Sequence, residues 1–189
     1  MTEQQQYRVL YSSGDFEVRL YSQHVVARVE VSGAVDQAAS AAFQPLFRYI
    51  SGANESSKSF AMTAPVIQQS TGEQLAMTAP VIQEKASTDR WKVSFVLPAG
   101  RKFEDYPKPT DSRVTLHHIP EEVAATFRWS GSWTAVNVAR WTEELRKLIA
   151  EAGWSEIGEP RWARFDPPTK LPFRRRNEIV IPITGIEIP

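Results

Sequence analysis

Few residues in this chain can do chemistry, and they are scattered. It has no cysteine, which removes disulfides, thiolate metal sites, iron–sulfur clusters and thiol nucleophiles together. Of the three histidines, His117 and His118 are adjacent, and on a strand neighbours point to opposite faces, so they cannot chelate one metal between them. His24 stands alone on the outward parity of an alternating segment, and Met62 and Met77 are thioethers in apolar surroundings. No nucleophile–base–orienter set, paired-histidine zinc helix or glycine-rich phosphate loop occurs. Arg174-Arg175-Arg176 is a local cation cluster, yet Lys plus Arg balances Asp plus Glu at 22 each, so no overall field draws the chain towards nucleic acid. What remains is an aromatic pair with a cation beside it: Phe43 and Phe47, four residues apart, followed by Arg48.

Those residues have to be positioned by regular elements, and the periodicities name them. Phe16, Val18 and Leu20 alternate with polar neighbours, as do Val25, Ala27, Val29 and Val31 after His24, which predicts two half-buried strands. Ser32-Gly33 breaks the pattern. Apolar positions then recur at Val35, Ala38, Ala39, Ala42, Phe43, Leu46, Phe47 and Ile50, one face of a helix that ends near Gly52 and counts both phenylalanines among its core residues. Strands over 60–68 and 91–97 complete a β-β-α-β-β unit.

The second half repeats that order: strands over 113–118 and 123–129, a helix from about Trp133 to Ala152, then strands near 161–165 and 178–183. A shift of 98 places Gly33 on Gly131, Ala27 on Ala125, Val29 on Phe127, Phe43 on Trp141 and Ile50 on Leu148. The expectation is an α+β fold, one domain over 1–189, whose pseudo-repeat halves, about 16–97 and 113–183, build a curved and mostly antiparallel sheet with two helices. The octapeptide Ala-Met-Thr-Ala-Pro-Val-Ile-Gln occurs at 61–68 and again at 76–83, and predicts a hairpin extension whose prolines hold both strands at a sheet edge. The polar start and the lack of any long apolar run predict a cytoplasmic chain without a membrane span.

Several of these segments resemble the SOUL family of haem-binding proteins. Phe16-Glu17-Val18-Arg19-Leu20-Tyr21 is similar to the family's opening strand, Phe47-Arg48-Tyr49-Ile50-Ser51-Gly52-Ala53-Asn54-Glu55 to its helix end, and Met62-Thr63-Ala64-Pro65-Val66 to its most distinctive segment. Lys108-Pro109-Thr110-Asp111, Phe165-Asp166-Pro167-Pro168 and Arg175-Arg176-Asn177-Glu178 follow in the family's order, and the doubled Met-Thr-Ala-Pro-Val resembles bacterial members. The resemblance implies a distorted barrel-like sheet with two helices, kinship of fold with GyrI-like effector-binding domains, and haem or protoporphyrin as ligand.

A tetrapyrrole site needs a flat apolar surface, cations for the propionates and, optionally, an axial ligand for iron. Phe43 and Phe47 supply the surface only if they are exposed, Arg48 supplies a cation beside them, and by resemblance Lys170 supplies a second. Axial ligation is the weak point: where some relatives carry histidine after the arginine of the first strand motif this chain has Leu20, leaving His24 and Met62 as the candidates. The expectation is therefore a reversible binder of a tetrapyrrole small molecule, for buffering, transport or sensing, with ring burial and propionate pairing carrying the affinity. Two alternatives stand beside it: a GyrI-like module for another hydrophobic ligand or a protein partner, and a haem-degrading or iron-releasing enzyme.

Overall fold

The computed structural model describes residues 3–55, 72–167 and 169–186. In chain order the strands are β1 (Glu3–Gln4), β2 (Tyr7–Ser13), β3 (Phe16–Tyr21), β4 (His24–Ser32), β5 (Asn54–Glu55), β6 (Thr78–Ala79), β7 (Val81–Ser87), β8 (Arg90–Val96), β9 (Lys108–Pro109), β10 (Thr115–Ile119), β11 (Glu122–Trp129), β12 (Ser155–Glu156), β13 (Arg161–Arg164) and β14 (Asn177–Thr184). Helix α1 (Ala38–Ile50) follows β4, and α2 (Ala135–Glu151) follows β11. The α+β class expected from the two periodicities is the class observed.

One antiparallel sheet runs in the order β10-β4-β8-β7-β13-β14-β11-β3-β2, with β12 added to β14. It is built of two four-strand groups that exchange their first members. β3 pairs with β11 rather than β4, and β10 pairs with β4 rather than β11, while β7 and β13 close the seam between the groups. The 98-residue shift holds in the first two strands of each half and at the breakers, where Gly33 and Gly131 adopt φ 124° and 134°, a region that favours glycine. It slips in the helices. The buried residues of α2, Val138, Thr142, Leu145 and Ile149, fall 100 after Ala38, Ala42, Pro45 and Tyr49 of α1, because α2 meets the core two residues later after its glycine.

The helices cover one face of the sheet. Inward parity buries Val25, Ala27 and Val29 of β4, Val93 and Phe95 of β8, Ala125 of β11, and Ile179 and Ile181 of β14. Ala38 and Ala42, both fully buried, let α1 lie close on β4 and β8, and Leu46, Tyr49 and Ile50 continue that stripe. This close seating corrects the expected helix face: Phe43 and Phe47 flank the contact and remain 36% and 43% exposed. α2 is fixed at its start by Thr134, whose hydroxyl accepts from Asn137 N at 3.2 Å, and is followed by Gly153 at φ 75°. On its outer face Arg146 pairs with Glu143 at 2.9 Å and Lys147 with Glu151 at 3.8 Å.

The octapeptide reading needs a second correction. Its first copy lies outside the described residues, as do Met62 and the strand expected over 60–68. The second copy does not form an edge: Val81-Ile82-Gln83 opens β7, which is paired on both sides. Pro80 sits just ahead of that strand, so its missing N–H breaks no β7 ladder bond.

Candidate functional site

Phe43 and Phe47 project from successive turns of α1 with their rings 5.5 Å apart and only 12° from parallel. Beneath them the edge of the Phe43 ring meets Phe95 of β8 at 5.7 Å and 65°. Two near-parallel, offset-stacked and partly exposed rings on a buried aromatic base make an apolar surface held in place by the core.

The rung of the sheet that carries Phe95 continues away from α1. Phe95 is paired with Val81, Val81 with Arg164, Arg164 with Asn177 and Asn177 with Trp129, so all five side chains stand on the helix-facing side. Trp133, just before α2, stacks on Trp129 at 5.6 Å and 23°, and the Arg164 guanidinium lies 4.0 Å over the Trp133 ring. Asn177 Nδ2 donates to Gly131 O at 3.2 Å, tying the end of β14 to the turn before Trp133. Past β13, the loop towards β14 exposes Leu171 (53%) and Phe173 (67%) beside Lys170.

The cations expected from the sequence are placed unequally. Arg48 is exposed and lies within electrostatic reach of Asp111. That carboxylate accepts from Arg113 at 2.9 and 2.6 Å, which lowers its pKa to about 2, with Arg48 adding to the shift. Lys170 Nζ donates to Asp166 Oδ1 at 2.7 Å, so its charge already has a partner. Arg164, unremarked in the sequence, is mostly buried in the rung, and burial lowers it to about 10. A signal for it did exist: Trp162 and Arg164 share inward parity, so a cation occupies a position where the strand pattern calls for an apolar residue.

Of the two metal-ligand candidates Met62 lies outside the described residues, and His24 does not reach this surface. His24 alternates with Val25 and therefore stands on the other face of the sheet. Its Nδ1 bonds Ser22 O at 2.9 Å and its Nε2 meets the Gln5 amide at 3.2 Å, which leaves neither ring nitrogen open, and burial lowers its pKa. His117 bonds the Thr115 hydroxyl at 2.9 Å. Among the described residues no group of three His, Cys, Asp or Glu side chains could hold a metal.

That other face joins the two ends of the chain. Arg19 of β3 donates to Glu178 of β14 at 2.7 and 3.2 Å, to Tyr21 OH at 3.0 Å and to Glu17 at 2.6 Å. Arg176 binds the same Glu178 through Nε at 2.8 Å, and the Tyr21 hydroxyl meets Thr126 at 3.3 Å. Burial opposes the charge on Arg19, but the hydrogen bonds and charges of Glu178 and Tyr21 together outweigh it and raise the guanidinium's pKa. The first-strand and last-strand motifs are thus two halves of one buried ion network. A pocket of about 20 Å³ beside it, bordered by Tyr7, Pro80, Ile82 and Phe165, has room for a water or two.

Comparison with known proteins places this geometry. The family described as SOUL heme-binding protein matches residues 2–74 and 67–182. Heme-binding protein 1 of Xenopus tropicalis is 27% identical over 168 residues, covering 87% of this chain and 81% of that protein. Heme-binding protein 1 of Bos taurus is 27% identical over 172 residues, covering 89% and 84%. Among solved structures, the EcmrR C-terminal domain superposes with a TM-score of 0.64 at 12% identity, covering 95% of this chain and 99% of that one. A hydrolase from Listeria innocua gives 0.60 at 14% identity, covering 93% and 94%. At such identities these two likenesses concern the fold alone. No helix among the described residues is long and apolar enough to cross a membrane.

Proposed function

The chain belongs to the SOUL heme-binding family, and from that premise we propose that it binds haem or a related tetrapyrrole reversibly on the apolar surface beside α1, for buffering, transport or sensing. The observation that carries this reading is the partly exposed, stacked pair Phe43 and Phe47. A core-facing pair would have offered no surface, whereas this one presents a platform to a flat ring. Arg48 and Lys170 stand as rim cations for the propionates, each with an acidic neighbour to compete against. Bound haem would supply an iron centre, and the protein's part is to cover one ring face and hold the acidic edge.

With His24 on the far face of the sheet, iron ligation by the protein contributes little. Metal-free protoporphyrin should therefore bind nearly as well as haemin. Titrating purified protein with each, followed by absorbance, tests this, and haemin bound a hundredfold tighter would overturn it.

A second reading would make the chain an effector-binding module for another small molecule on the face of Arg19 and Glu178, where the pocket of about 20 Å³ would have to widen to admit one. The two readings part on mapping. Alanine at Phe43 and Phe47 abolishes porphyrin binding if the ring lies on α1, and Glu178→Gln abolishes it if the ligand lies on the other face.

A further inference from the structure

We infer that Arg164 anchors the acidic substituent of the ring bound on α1, a role that rests on the tetrapyrrole reading above. Among the described residues, Nε and one terminal nitrogen of this guanidinium are shut off from solvent with no hydrogen-bond partner. Other buried or half-buried arginines are satisfied by carboxylates: Arg19 and Arg176 by Glu178, Arg28 by Glu84 and Arg161 by Glu122. The contact of Arg164 with Trp133 engages the face of the guanidinium and none of its in-plane N–H groups. Asp36 is felt only through space, and Arg175 opposes it.

The surroundings add further donors. The indole N–H groups of Trp129 and Trp133 are also buried without a partner, so the end of the rung gathers unsatisfied donors around one positive charge. Such a cluster is costly to fold around, and a carboxylate satisfies it best. Its place in the sheet is what joins it to the platform. Arg164 lies two ladder steps from Phe95, roughly 10 Å between Cα atoms, on the same face and with only Val81 between them. A flat ring seated on Phe43 and Phe47 extends across Val81 and brings an acidic edge to Arg164. Lys170, already bonded to Asp166, then serves the rim and not the anchor.

The test is a two-by-two titration with protoporphyrin IX, carrying free carboxylates, and its dimethyl ester, in which they are masked, against the wild-type protein and Arg164→Met. Wild type is expected to prefer the diacid by tenfold or more. In R164M that preference falls to within about twofold of unity, while the diester binds as in wild type. The variant is expected to melt at or above the wild-type temperature, since it removes a buried unpaired cation, a result that a merely structural role for Arg164 would reverse. If R164M folds poorly, Arg164→Gln gives the same comparison. A variant that keeps the diacid preference overturns the role of Arg164 and leaves the ring site standing. A wild-type protein that binds neither porphyrin overturns both.

Discussion

Glu178→Gln separates what the family's signature residues do from what the α1 surface does. The carboxylate is 1% exposed and shared by two guanidiniums, Arg19 at 2.7 and 3.2 Å and Arg176 at 2.8 Å. The amide has nearly the same shape but no charge, so the change leaves packing intact and removes the anion between two cations. Breaking one side of a buried ion pair costs about 3–5 kcal/mol. Here the lower end applies, because Arg19 keeps Glu17 at 2.6 Å and Arg176 is partly exposed. About 3 kcal/mol in a chain of this size lowers Tm by roughly 6–12 °C. Arg19→Met should cost less, since Glu178 then retains Arg176. Scanning calorimetry on the three proteins measures the ranking, and porphyrin titration well below the melting range should give wild-type affinity for both variants. A loss in E178Q below about 1 kcal/mol would refute the claim that the network is a desolvated clamp.

Phe47→Ala should cost about 1 kcal/mol of stability, since nearly half of the ring is already exposed, yet weaken porphyrin binding about tenfold; equal effects on both quantities would argue that the ring is mere packing. Leu46→Ala, one position earlier and fully buried, should do the opposite, losing about 2–5 kcal/mol by chemical denaturation while the folded fraction binds normally. His24 and His117 have pKa values lowered, chiefly by burial, so the unfolded chain takes up protons first as pH falls through the ordinary histidine value of 6.5. Stability should therefore be full above that value and decline below it, and His24→Asn should flatten the decline. Melting curves at pH 7.5 and 5.5 that shift equally in both proteins would show that His24 takes no part.

Much of the fold was legible because its strands obey a period of two and its helices a period near 3.6. The alternation of β4 and β11 and the matched glycines Gly33 and Gly131 announced the two-fold repeat before any coordinate. Three features were hidden. The exchange of β3 and β10 between halves leaves no trace in local pattern, because each strand alternates equally well beside either partner. The interior place of β7 was obscured by Pro80, which forbids a ladder bond at its own position only. The register slip of two residues in the helices depends on how soon each chain re-enters the core after its glycine, a tertiary quantity.

Of the candidate site, the apolar pair can be read from the sequence and the pairing of its cations cannot, for one physical reason. Phe43 and Phe47 can be found from spacing alone, but whether such a pair is sealed or exposed is set by how close the helix lies to the sheet, and that is fixed by Ala38 and Ala42. In the sequence a basic residue looks free next to the aromatics, at Arg48, and in the signature loop, at Lys170. In the folded chain Lys170 has an acidic partner and Arg48 an acidic neighbour, whereas the guanidinium with unsatisfied donors sits at inward parity on β13. A charge at an apolar position is costly wherever nothing pairs it. That cost makes Arg164 a sharper pointer to a bound anion than any cation on the surface, since a surface cation has water to satisfy it, whereas two of the Arg164 nitrogens are buried with no hydrogen-bond partner among the described residues.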